Sequence, residues 1–224
     1  MSTHLDQGAV PIYRKVVNAV GIFLLFFFSY QMLMIIWPYR YLGWDIDFLR
    51  TKQDVIGLEH WRYAFWVHIF SSMFVLLAGA TQFSSWFLRQ LPRIHRWVGM
   101  LYVVLIIFVT GPAAIVMSFY SNGGMIGRVS FVILAVGWWV FTLLAYLAVR
   151  KHDYPRHARW MIRSYALTFS AITLRIYQFL FGWWFDFDHV VQYAIVAWLS
   201  WTINLVVGEW LIKRGVVERI LQKR

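Results

Sequence analysis

Six long apolar segments constrain this chain more than any other feature of its sequence. They cover residues 16–37, 63–87, 97–120, 129–149, 160–184 and 190–212. A helix needs about 20 apolar residues to cross the hydrocarbon core of a bilayer. The run IFLLFFF at 22–28 shows none of the period-two alternation that a membrane β-barrel requires. We therefore predict an all-α fold: a bundle of six transmembrane helices that forms a single multi-pass membrane domain.

The composition excludes several classes of protein. Of the 224 residues, 61% are apolar and 14% are charged, whereas soluble domains are about half apolar and a quarter charged. A soluble enzyme and a disordered chain are therefore excluded. The sequence contains no cysteine, which excludes an iron–sulfur cluster, a thiolate zinc site, a nucleophilic thiol and a disulfide framework.

The distribution of positive charge predicts the orientation. Fourteen Lys and Arg residues lie in the two terminal tails and in the second and fourth connections, against five in the other three connections. Cytoplasmic loops carry this excess, so both termini are predicted to be cytoplasmic. The net charge of +11 is then explained without nucleic acid. The basic, amphipathic tail 213–224 suits an interfacial helix on anionic lipid, and the long loop 38–61 is expected to lie on the bundle mouth as a lid or at the lipid headgroups.

Ionisable residues inside the predicted spans are candidate functional residues, because charge in a bilayer is costly and usually faces the bundle interior. Arg163 and Glu209 lie at similar depth near the cytoplasmic side, which predicts a structural ion pair. His68 and Arg175 fall in the outer half, where we expect them to line a polar cavity with Gln178. The alternatives are a histidine and an arginine that merely bond to backbone carbonyls.

One face of the fifth predicted span is polar or small throughout. Its members are spaced 7, 4, 3, 4 and 3 residues apart, which places them in one helical stripe. They are His157, Ser164, Thr168, Ala171, Arg175 and Gln178. A stripe of this length is expected to face other helices, water or a ligand.

Two segments carry a family resemblance: IHRWVG at 94–99 and HARWMIRSYA at 157–166. With the intramembrane His68 and Arg175, they resemble the predicted membrane proteins catalogued as domain of unknown function 2306. The resemblance covers most of the chain from His68 to Arg175. It implies a multi-pass membrane protein without an assigned activity, and a bacterial inner (cytoplasmic) membrane as its location.

A second resemblance concerns haem. The start of the third span at His95 is similar to the histidine-led helix of ferric-reductase-like b-type haem proteins, in which imidazoles from two helices hold the iron. This resemblance implies His95 and His157 as ligands of one haem b near the cytoplasmic side. The positions of the outer ligands hold Val109, next to Thr110, and Ser170, so a second haem of that kind is not expected, and no other metal is expected.

Two kinds of function remain open from the sequence. The first is a membrane redox protein with one b-type haem and a quinone near His68 and Arg175. The second is a non-catalytic accessory or assembly subunit, which would contact other membrane subunits, or a small transporter. A membrane hydrolase is a third possibility, but the sequence contains no Ser–His–carboxylate or His–Glu metal spacing to support it.

Overall fold

A computed structural model describes residues 12–83 and 85–222. Within them the chain forms α-helices and short turns of tighter or wider helix, with no β-strand, so the all-α prediction is confirmed. The α-helices are α1 Ile12–Ile36, α2 Glu59–Gln82, α3 Ser85–Gln90, α4 Pro92–Leu105, α5 Gly111–Ser118, α6 Gly124–Arg150, α7 Tyr154–Thr168, α8 Ser170–Trp184, α9 His189–Lys213 and α10 Val216–Gln222.

Four helices in the described part of the chain are long and apolar enough to cross a membrane, rather than the six that the sequence predicts. They are α2, the continuous stretch Pro92–Ser118 that contains α4 and α5, α6 and α9. They correspond to the second, third, fourth and sixth predicted spans. The first predicted span falls on α1, and the N-terminal tail before it falls mostly on residues 1–11, which lie outside the described residues.

The fifth predicted span is divided because hydroxyl side chains interrupt its helix at Phe169. The Thr168 hydroxyl donates to the Ser164 carbonyl and the Ser170 hydroxyl donates to the Leu167 carbonyl. Such bonds from Ser and Thr back to the preceding turn bend helices. The result is two helices, α7 and α8, of 15 residues each, and each is too short to cross a bilayer alone.

A wide helical turn, Ile106–Thr110, joins α4 to α5. Pro112 has no N–H to donate to Phe108, and the Gly111 N–H bonds to the Ile106 carbonyl, five residues back. The Ile107 carbonyl instead accepts a hydrogen bond of 2.9 Å from Trp139 Nε1 on α6. Wide turns of this kind occur inside α-helices and are frequent at functional sites.

The centre of the bundle holds a buried hydroxyl cluster. The Tyr102 hydroxyl on α4 lies 2.8 Å from the hydroxyls of Ser164 and Thr168 on α7. On α6, Thr142 Oγ1 lies 2.7 Å from Ser164 Oγ, and Trp138 Nε1 donates to Thr168 Oγ1 at 2.9 Å. These contacts tie three helices together with polar groups that are satisfied in the interior, as buried polar groups must be.

The long loop between α1 and α2 is folded and packs on the end of the bundle. It contains two short helical turns, Trp37–Tyr41 and Asp47–Lys52. Tyr39, Leu49 and Ile56 from the loop form an apolar cluster with Trp61 and Phe65 of α2. The loop therefore covers one end of the bundle.

At the opposite end of the bundle, α10 packs on α7. Val217 of α10 is fully buried, and Glu218 accepts a hydrogen bond of 3.0 Å from Arg159. The described part of the tail is thus a docked helix, while residues 223 and 224 lie outside the described residues.

Candidate ligand cavity

A cavity of about 640 Å³ lies inside the bundle, beneath the folded loop. We call it the bundle cavity. Its walls are mainly apolar and come from α1, α2, α5, α6 and α8, with residues such as Met32, Leu76, Ala114, Leu134 and Leu174. This size and this apolar lining are typical of sites for small molecules, in which a few polar groups set the orientation.

The polar stripe of the fifth predicted span supplies one wall. Thr168 at the end of α7 and Ala171, Arg175 and Gln178 on α8 all line the bundle cavity. Their spacing of three or four residues keeps them on one side in spite of the break at Phe169. Ser164 points instead into the hydroxyl cluster.

Arg175 is a cation without an ion pair in this wall. Its Nη1 donates to the Ala171 carbonyl, one turn earlier, at 2.8 Å. It takes no part in either ion pair that the described residues form. Tyr39 and Tyr193, which also line the cavity, are near enough to interact with it electrostatically. A guanidinium carries five N–H donors, and most of them are available to a ligand.

His68 lines the same cavity from α2. Its Nδ1 lies 3.3 Å from the Thr110 carbonyl, at the end of the wide turn. The Thr110 hydroxyl in turn donates to Ser71 Oγ at 2.8 Å. In a neutral imidazole, an N–H at Nδ1 leaves Nε2 as a hydrogen-bond acceptor, so this side chain can accept a proton or a hydrogen bond from a bound molecule.

Lys52 is a cavity residue that sequence reasoning missed. Only 4% of it is exposed, and its Nζ donates to the Tyr120 carbonyl. Burial lowers the pKa of Lys52 to about 8, although the nearby Asp54 carboxylate acts in the opposite direction. The residue lies in a loop, where no helical or strand periodicity could have shown that it faces inward.

A second cavity of about 710 Å³ adjoins the first at the loop end of the bundle. We call it the vestibule. The residues that line it and not the bundle cavity include several polar side chains, among them Thr51, Asp54, Asn122, Arg128 and His189. The two cavities share six lining residues: Phe48, Lys52, Tyr120, Ser121, Gln178 and Tyr193.

The two histidines suggested as haem ligands lie elsewhere. His157 Nδ1 is 2.9 Å from the Ala145 carbonyl on α6, and His95 lies in the first turn of α4. Neither residue lines the bundle cavity or the vestibule. Among the described residues no group of three or more His, Asp or Glu side chains could hold a metal ion.

Arg163 and Glu209 form an ion pair between α7 and α9. Arg163 Nε donates to Glu209 Oε1 at 2.5 Å and its Nη2 donates to Oε2 at 3.0 Å. This two-point contact fixes α7 against α9 and leaves neither charge for a ligand.

Comparison with known families places the chain among membrane proteins. The family described as "Predicted membrane protein (DUF2306)" matches residues 65–212. The chain belongs to this family. Within this DUF2306 protein, the matched region holds His68, Arg175 and the hydroxyl cluster, whereas Lys52 and the loop lie before it. No curated protein and no solved structure matched the chain.

The family and the helices agree on the setting. The family consists of predicted membrane proteins, and four helices of this member are suited to a bilayer. The protein is therefore a membrane protein, and the bundle cavity lies among its membrane helices.

Proposed function

We propose that this protein binds a small amphipathic molecule in the bundle cavity. The polar head of the molecule would lie at Arg175, Gln178 and His68, and its apolar part would lie among Met32, Leu76 and Leu134. The observation that carries the proposal is Arg175, a cation without an ion pair on the wall of a mostly apolar cavity.

The charge of Arg175 is costly inside a membrane. An arginine at membrane depth costs about 3 kcal/mol or more on insertion scales, and one backbone carbonyl satisfies only part of its bonding capacity. A ligand with an anionic or carbonyl head supplies the missing acceptors. A quinone is one such molecule, because its ring carbonyls accept hydrogen bonds while its tail is apolar.

Ligand binding to the purified protein in nanodiscs tests the proposal. Trp61 and Trp138 line the cavity, so binding of decylubiquinone should quench their fluorescence, and binding of dodecanoate is measurable by calorimetry. We expect saturable binding of at least one probe and a loss of about tenfold or more in affinity for Arg175→Leu, which corresponds to about 1.4 kcal/mol.

Two further variants make this test decisive. Arg175→Gln keeps a polar side chain for the Ala171 carbonyl and should also weaken binding, because the charge is lost. Arg150→Leu, at the exposed end of α6, should leave affinity unchanged. Binding that is the same in wild type and in both Arg175 variants would refute the proposed site.

We also propose that α1 and the pair α7–α8 complete a six-span topology with both termini in the cytoplasm of an inner (cytoplasmic) membrane. Support comes from the antiparallel contacts of α7 and α8 along α9, which is itself a candidate span. These contacts follow α9 from end to end. They are Arg163 with Glu209, Ala166 with Asn204, Thr173 with Ser200 and Gln178 with Gln192.

A haem near His157 is a second proposal, supported by one observation. The bond between His157 Nδ1 and the Ala145 carbonyl fixes the ring and leaves Nε2 free to coordinate, which is the usual arrangement of a histidine ligand. When bound, a b-type haem would supply one-electron chemistry. The test is the absorption spectrum after purification with added haem: a Soret band lost in His95→Ala and in His157→Ala is expected, and a colourless wild-type protein would rule the haem out.

A further inference from the structure

We propose that the ligand of the bundle cavity is an amphipathic anion, whose head is held by Lys52 together with Arg175 and which enters from the vestibule. This inference rests on the proposed function, because it names the class of molecule that the same cavity takes. It adds a contact residue, Lys52, and a direction of access that the sequence did not indicate.

Positive charge exceeds negative charge among the residues that line the bundle cavity. Lys52 and Arg175 both line it, and neither forms an ion pair with a described residue. The carboxylate in this lining is Asp47, which is exposed at the rim, and the exposed Asp54 near Lys52 lines the vestibule. A neutral head would leave both cations without a counter-charge inside the cavity, whereas an anionic head supplies one, and buried charges are stable when they are paired.

Lys52 has hydrogen-bonding capacity left for a ligand. Its ammonium group has three N–H donors, and one of them is directed at the Tyr120 carbonyl. The ring of Phe48 lies 5.6 Å from Nζ. Two donors therefore remain for the oxygens of a carboxylate or phosphate head.

Lys52 lies between the bundle cavity and the vestibule. It lines both the bundle cavity and the vestibule. Its segment has one further contact with the turn after α5, where Asn122 Nδ2 donates to Thr51 Oγ1 at 3.1 Å. At the start of α2, His60 Nε2 lies 2.8 Å from the Tyr120 hydroxyl of the same turn. Arg175 lines only the bundle cavity, so an anion that arrives through the vestibule meets Lys52 before it reaches Arg175.

Three probes with the same chain length test the inference. Dodecanoate and dodecyl phosphate carry anionic heads, and dodecanol does not. In calorimetry with the full chain in nanodiscs, corrected with empty nanodiscs, we expect at least one anion to bind about tenfold or more tightly than dodecanol. Lys52→Met should reduce this preference by about tenfold and Lys52→Arg should retain it, since Arg keeps the charge.

Arg50→Met is the matched control. Arg50 belongs to the same short helical turn as Lys52, but it is exposed and its Nε bonds to the Asp45 carbonyl. This variant should keep the preference for anions. If it loses the preference as Lys52→Met does, the effect is one of general surface charge and the inference is overturned.

The remaining outcomes separate this inference from the proposed function. Equal affinity for dodecanol and for both anions, abolished by Arg175→Leu, would overturn the anion assignment and leave the cavity as a binding site. No saturable binding of any of these three probes or of decylubiquinone would overturn both. Preference for dodecyl phosphate over dodecanoate would support the inference and identify the head as a phosphate.

Discussion

Lys52 brings an ionisable group of unusual pKa into the covered end of the bundle. Burial lowers its pKa to about 8, so between about pH 8 and pH 10 its amine is largely neutral, whereas a lysine in an unfolded chain stays largely protonated. The unfolded chain binds more protons than the folded chain across this interval, and the contribution of Lys52 to stability therefore rises with pH there. We expect the ¹³Cε signal of Lys52, assigned through Lys52→Met, to titrate near pH 8. A midpoint above pH 10 for Lys52 would contradict the buried position.

Tyr102 is the residue through which α4 contacts the hydroxyls of α7. Tyr102→Phe keeps the ring and removes the hydroxyl that bonds to Ser164 and Thr168. We expect a loss of about 1–2 kcal/mol in the free energy of unfolding, since a buried hydrogen bond contributes about 1 kcal/mol net. Denaturant-induced unfolding in detergent measures it. Tyr63→Phe, at a ring that is 64% exposed, should cost almost nothing.

At the scale of elements, the contact between α2 and its neighbours depends on the missing side chain of Gly79. A Cβ there would lie 2.5 Å from Tyr165 Cδ2 and 2.8 Å from Tyr102 Cε2. Gly79→Ala should therefore destabilise the protein by about 1–3 kcal/mol, the usual cost of overpacking. In Gly137→Ala on α6 the new Cβ would be 3.6 Å from Leu167 Cδ1, an ordinary contact. That variant should be neutral or up to about 1 kcal/mol more stable, because Ala favours helix. In thermal melts, the melting temperature of Gly79→Ala should be clearly lower than that of Gly137→Ala.

Some features of these helices and of the loop could be predicted from the sequence, and others could not. The stripe through Thr168, Arg175 and Gln178 was predictable, because helical spacing is a local property of the chain. The break at Phe169 was not, since it depends on where the Thr168 and Ser170 hydroxyls bond. The inward position of Lys52 depends on Tyr120, 68 residues away, and no local pattern encodes such a contact.

For the whole molecule, the number of crossings between α6 and the C-terminus decides the topology. The protein has no cysteine, so single cysteines can be placed at the exposed Met125 and Gln222 without background. If α6, the pair α7–α8 and α9 all cross, three crossings separate the two positions, and a membrane-impermeant maleimide should label them from opposite sides. If the pair does not cross, both should label from the same side, and the six-span proposal fails.

The wide turn at Ile106–Thr110 determines the direction in which the side chains of α5 face around the helix axis. Each residue advances an α-helix by about 100°, so one additional residue within a turn rotates the downstream faces by about that angle relative to an uninterrupted helix. Ala114, Met117 and Ser118, which wall the bundle cavity, lie just beyond this point. In a regular helix from Pro92 onward, those three side chains would face in another direction and the cavity would lose this wall. The cavity therefore exists partly because the wide turn rotates the side chains after Pro112 relative to those at the start of the same helical stretch.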